Sequence, residues 1–188
     1  MVNTLDEILL ERADAFAALA HKDHFRSNKT HDPYIEHLRE VASLVRGSGG
    51  TTEEICAALL HDSVEDTATT LEDIETEFGS VIKDIVKELT DDPESEKLPT
   101  LERKKLQAEH AKVVNSTVRR VKLADQISNV RYVVEAPSIK WDKQKCIDYV
   151  TGAYLIANEC SGISVFLDQK FNEVCAKAET TYGFSVKD

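Results

Sequence analysis

Residues 55–66 read ICAALLHDSVED, and the change of character halfway along them decides the fold. Ile55, Ala58 and Leu59 recur at helical spacing and form the inner face of a helix. Asp62 continues that face, so a carboxylate points where the core should be. Thr51 and Glu54, just upstream, make a capping box that starts the helix and carries it into His61. Working outward, Pro33 opens a helix through Val45 that "GSGG" closes, and a first helix covers about residues 4 to 23. Downstream, Thr70 and Asp73 start a helix that Gly79 stops, and Ser80 caps another to about Leu89. The loop "TDDPESEKLP" follows. Helices then fit residues 100–114, 115–134 (ended by Pro137), 139–159 and 163–179. The β-branched runs sit inside 3.6-residue patterns, so the reading is an all-α helical bundle in a single domain spanning residues 1–188.

Bulk properties narrow the function. A chain of 188 residues, 41% hydrophobic and 30% charged, can bury a core without disulfides or metal staples. The formal net charge of −11 argues against a nucleic-acid partner, since phosphate binding needs a local excess of Lys and Arg. No apolar window approaches the roughly 20 residues of a spanning helix, and the acid-containing start does not read as a signal peptide. The expected location is the cytoplasm, with no membrane partner. Cys56, Cys146, Cys160 and Cys175 form no C-x-x-C pair and read as buried small side chains. The oligomeric state is not encoded in any of these patterns.

Three ligand-type residues face inward by periodicity, and His61 adjoins one of them. His37 shares a face with Tyr34, Val41 and Leu44; Asp62 follows Ile55, Ala58 and Leu59; Asp125 lies with Val118 and Val121 on a helix that is apolar on two sides. An isolated inward carboxylate costs several kcal/mol or stays protonated unless a cation compensates it. Two histidines, His37 and His61, with two aspartates point to a shared metal ion. Their long separations leave that reading open, because no single helix carries the set.

The ordered segments "DPYIEH", "AALLHDSVEDTATTLEDIETEFG" and "VKLADQISNVR" resemble the HD-domain hydrolases of the RelA/SpoT type, above all the short stand-alone alarmone hydrolases. The likeness covers roughly residues 13 to 155, and "TDD" with "LPTLERKKLQ" extends it. The resemblance implies an HD-domain helical bundle that hydrolyses the 3′-pyrophosphate of the guanosine alarmones (p)ppGpp with one Mn²⁺. By the same resemblance His37, His61, Asp62 and Asp125 are the metal ligands, and Glu65 and Asp66 the catalytic acidic pair. Arg26 then matches a residue that stacks on guanine, and Asn129 one near the ribose. Lys145 and Tyr149 match positions near the nucleotide pocket.

The chain departs from that pattern at Ser27, Leu38, Thr100 and Lys145. Ser27 and Thr100 replace basic residues, and Lys145 lacks the bidentate fork of arginine. Lys22, Lys29, Lys104 and Lys105 are candidate substitutes for the lost charge. An adenine alarmone or the 2′-phosphate of NADPH is therefore an alternative substrate for the same centre. A non-catalytic alarmone-binding module is the reading outside enzymology; it would be marked by a damaged ligand set or acidic pair, which this sequence does not show.

Overall fold

A computed structural model describes residues 4–186. Ten α-helices follow one another: α1 (Thr4–Ala20), α2 (Ile35–Gly47), α3 (Thr52–Leu60), α4 (Ser63–Asp66), α5 (Leu71–Phe78), α6 (Ser80–Leu89), α7 (Thr100–Val113), α8 (Ser116–Glu135), α9 (Lys143–Cys160) and α10 (Val165–Tyr182). Among the described residues the only β pairing outside helices is a bridge between Phe25 and Pro33. The all-α expectation therefore holds. No helix among them is long and apolar enough to cross a membrane.

Two helices form the interior. Every residue of α3 from Glu54 to Leu60 is buried, and α3 packs on α1, α2, α6 and α8. The other, α8, is buried through Val118, Val121, Leu123, Ala124, Ile127, Val130 and Val133, and it touches α2, α3, α6, α9 and α10. A helix apolar on several sides can only be stable when neighbours cover each of them. Helices α7 and α9 pair along their length, and α10 closes the bundle against α8 and α9. The cysteines expected to be buried are buried, all four of them.

Local chemistry sets most boundaries where the sequence placed them. Thr51 accepts from Glu54 N while the Glu54 carboxylate accepts from Thr51 N, and Thr70 with Asp73 repeats the arrangement. Gly79, at φ +85°, turns the chain between α5 and α6. The differences have identifiable causes. The first helix stops at Ala20 rather than residue 23, because the polar run beyond it turns, with His24 N bonded to His21 O. Ser80 is the first residue of α6 and not its cap; Gly79 takes that place. The loop after Leu89 contains a 3-10 turn, Pro93–Lys97, capped by Asp92. Helix α9 begins at Lys143 rather than 139, since Asp142 caps it through Lys145 N and Ile139 N is tied to Ser27 O. Helix α10 runs on to Tyr182, where Gly183 in left-handed geometry ends it.

Candidate metal centre and the cavity beside it

Three elements deliver the four inward ligand-type residues to one place. His37 comes from the first turn of α2 and Asp125 from the middle of α8. His61 and Asp62 occupy the break between α3 and α4, where Asp62 has φ −94° and ψ −2°, a sparsely used geometry that interrupts the helix. His37 Nε2 lies 3.2 Å from Asp125 Oδ1 and 3.6 Å from Asp62 Oδ2. His61 Nε2 lies 3.2 Å from Asp62 Oδ2 and 3.6 Å from Asp125 Oδ1. Both histidines are buried.

Neighbouring groups hold these side chains in place, the histidines from behind and the carboxylates at the oxygens themselves. His61 Nδ1 meets Ala58 O at 2.8 Å, and His37 Nδ1 meets Ser128 Oγ at 2.9 Å. Tyr34 donates to Asp62 Oδ2, Asn129 donates to Asp125 Oδ1, and Gln126 donates to Asp125 Oδ2. His61 Nε2, by contrast, is buried with no hydrogen-bond partner. A buried polar atom in that state is costly unless something else binds it. Donor atoms on adjacent positions of a six-coordinate ion with bonds near 2.1 Å are about 3 Å apart, close to the spacing seen here. Two imidazoles and two carboxylates thus fit a divalent cation.

The electrostatics agree. Burial works against charge on His61, but the neighbouring Asp62 and Asp125 overrule it and push the imidazole up to about 9. Burial alone would raise Asp62, yet His61 and His37 hold it down to about 2. Asp125 also lies well below the ordinary range, against its burial, because the imidazoles of His37 and His61 stand beside it. The pocket is organised to keep two carboxylates ionised around a positive charge, the role a metal ion fills.

A cavity of about 270 Å³ opens beside this cluster. Glu65 and Asp66 line it. Burial raises Glu65 to about 7 despite the bond that it accepts from Asp91 N, and burial with the charge of Asp62 raises Asp66 to about 6. Basic residues share the lining: Arg103, Lys104 and Lys122 all border it. Lys104 is 3% exposed and Lys122 6%. Lys104 Nζ donates to Gln126 Oε1 at 2.8 Å and sits 4.2 Å from the centre of the Tyr149 ring; burial brings its ammonium down to about 8. Of the four lysines considered as substitutes, only Lys104 reaches the site, while Lys22, Lys29 and Lys105 are exposed. Arg103, Lys122, Gln126 and Tyr34 were not singled out from sequence. The inward side of α8 was the one available signal for Lys122 and Gln126.

A second cleft, of about 240 Å³, adjoins the first, and Tyr34, Asn129 and Tyr149 line both. Its walls are aromatic, with Phe25, Tyr132 and Trp141. Arg26 lies in it with its guanidinium 3.9 Å from the Tyr132 ring centre and bonded to Asn129 Oδ1 at 3.3 Å. Arg26, Asn129 and Asp125 therefore form one chain of contacts from the cleft to the metal cluster. Lys145 is exposed and lines neither cavity; its ammonium stands 5.5 Å from the ring of Trp141.

Comparison with known proteins gives consistent results. The family described as HD domain matches residues 13–150. The guanosine-3′,5′-bis(diphosphate) 3′-pyrophosphohydrolase MESH1 of Xenopus tropicalis is 38% identical over 171 residues, covering 90% of this chain and 94% of that protein. Its Homo sapiens counterpart is 37% identical over 163 residues, covering 86% and 89%. Among solved structures, a metazoan ortholog of SpoT described as hydrolysing ppGpp superposes with a TM-score of 0.81 at 29% identity. That match covers 88% of this chain and 93% of that one.

Proposed function

Because the chain belongs to the HD-domain family, among its stand-alone RelA/SpoT-type hydrolases, we propose that it removes the 3′-pyrophosphate of (p)ppGpp, giving GDP or GTP and pyrophosphate. The observation that carries this reading is the junction of an aromatic, arginine-bearing cleft with a metal-type cavity, sharing Asn129 and Tyr149 as common walls. A purine base suits the first compartment, where Arg26 and the aromatic rings offer stacking faces. The phosphates suit the second, where Lys104, Lys122 and Arg103 supply the local positive charge that an overall acidic chain otherwise lacks.

In this proposal His37, His61, Asp62 and Asp125 hold one Mn²⁺. Mixed nitrogen and oxygen ligation suits that ion, which when bound would supply Lewis-acid stabilisation of the phosphoryl oxygens and acidify a neighbouring water. Glu65 and Asp66 orient the attacking water and take its proton as a pair. The water oxygen joins the 3′-side phosphorus, the bond from that phosphorus to the 3′ oxygen breaks, and the 3′ oxygen leaves as a hydroxyl once it has taken up the proton that the acidic pair removed from the water. Asn129 and Tyr149 sit where the ribose would cross from one compartment to the other. Lys145 is left with a part at the edge of the base cleft, through Trp141.

The same reading takes residues 1–188 as one HD-type unit, supported by the packing of α10, which lies beyond the matched region, on α8 and α9. It places the protein in the cytoplasm, where buried thiols such as Cys56 and Cys160 stay reduced.

The test is product identification by ion-exchange chromatography after incubation with ppGpp, pppGpp, pppApp and NADPH, with Mn²⁺ or with chelator. GDP or GTP with an equal amount of pyrophosphate, formed only with the metal, is the expected result. Cleavage of NADPH or pppApp in preference to the guanosine alarmones would move the substrate assignment and keep the metal centre. Tight ppGpp binding with no product would make the protein a sensor.

A further inference from the structure

The two histidines of the centre are held from behind in different ways. His61 Nδ1 faces a backbone carbonyl, Ala58 O, which can only accept. His37 Nδ1 faces the hydroxyl of Ser128, which can donate or accept. A neutral imidazole offers its lone pair at Nε2 only when Nδ1 carries the proton. Ser128 must then accept from His37, and its own proton must go elsewhere. It goes to Glu40: Ser128 Oγ donates to Glu40 Oε2 at 2.7 Å. Glu40 Oε2 accepts, so the direction of the chain is fixed from its far end. Arg131 donates to both Glu40 oxygens, Nε to Oε1 and Nη2 to Oε2, each at 2.6 Å, so the Glu40 carboxylate faces donors on both sides. Glu40 and Ser128 each stand three residues after a ligand, His37 on α2 and Asp125 on α8, so the two helices that bring the ligands together also bring the relay together. Ser128 is 1% exposed, which keeps water out of the exchange.

We propose that Glu40, acting through Ser128, is a positioning residue that fixes the tautomer and ring orientation of His37 and thereby sets the affinity of the centre for its cation. The inference rests on the metal reading of the site. Side chains that receive the distal N–H of a ligand histidine are commonly worth about 10- to 100-fold in metal affinity.

The experiment is Mn²⁺ affinity by equilibrium dialysis, with thermal unfolding of the metal-free protein measured alongside, for wild type, Ser128→Ala, Glu40→Ala, the double variant and Ser128→Thr. Each single alanine variant should bind Mn²⁺ about 10- to 100-fold more weakly. The double variant should be no weaker than the weaker single one, because Glu40 acts only through Ser128. Ser128→Thr keeps the hydroxyl and should restore wild-type affinity. Additive losses, or lower unfolding temperatures with unchanged Mn²⁺ affinity, would overturn the relay while leaving the metal reading intact. A wild-type protein that binds no Mn²⁺ overturns the metal reading, and the relay with it.

Discussion

Glu65 and Asp66 are poised by their surroundings rather than by their residue type. Burial, with the charge of Asp62 added, lifts them to about 7 and about 6. A proton-accepting pair works in its ionised form, so kcat/KM should climb as pH rises through that window, and a cation at the ligands moves the climb toward lower pH. Glu65→Gln should lower kcat about 100- to 10,000-fold with Mn²⁺ content unchanged, and should erase the upper part of the pH climb. Full turnover in that variant would remove Glu65 from the proton transfer. At this scale the sequence was informative where chemistry showed itself as an anomaly. Acids directly after an apolar run, and inward-facing His37, Asp62 and Asp125, conflict with core formation and so announce themselves. Lys104 and Ser128 raise no such conflict. One looks like any solvated lysine in "LERKK", the other like any small polar residue, and their partners lie 22 and 91 residues away.

The pairing of α7 with α9 shows how an element boundary reaches the site. Gly152 of α9 faces the aliphatic stem of Lys104 on α7 so closely that an added Cβ would come within 2.5 Å of Lys104 Cδ and 2.7 Å of its Cβ. The absent side chain is what lets the buried lysine pass α9 and reach Gln126. Gly152→Ala should therefore displace Lys104 and cost about 1–3 kcal/mol in overpacking, read by urea unfolding, together with a fall in kcat/KM. An alanine variant of wild-type stability and activity would show that the stem has room to move. Helix boundaries were mostly legible because caps are local: Thr51 with Glu54 and Thr70 with Asp73 complete their bonds within four residues. The start of α9 lies later than residue 139 because Asp142 caps it and because a tie to Ser27, on a different part of the chain, holds Ile139 outside the helix.

For the whole molecule, the buried His21 makes stability depend on pH. It stacks on Tyr34 and is 2% exposed, and burial lowers its imidazole to about 4. The unfolded chain takes up a proton near 6.5 that the folded chain refuses until about 4. The contribution of His21 is thus complete above 6.5 and is lost as pH falls through the interval, by about 3 kcal/mol. Urea unfolding at several pH values should show that decline, and His21→Phe, which keeps the stacking ring, should flatten it. An unchanged slope in the variant would assign the loss to other groups.

The sequence alone determined all the helices but the short α4, their order and the identity of the inward ligand-type residues, because propensity, capping and 3.6-residue periodicity act within a few positions of each residue. Tertiary structure alone decided which of 23 basic side chains enter the cavity, why Lys145 stays outside it, and how Glu40 and Ser128 stand behind His37. Those outcomes depend on how α2, α7, α8 and α9 cross. Crossing geometry is set by the packing of many side chains at once, and no local pattern in the chain records it.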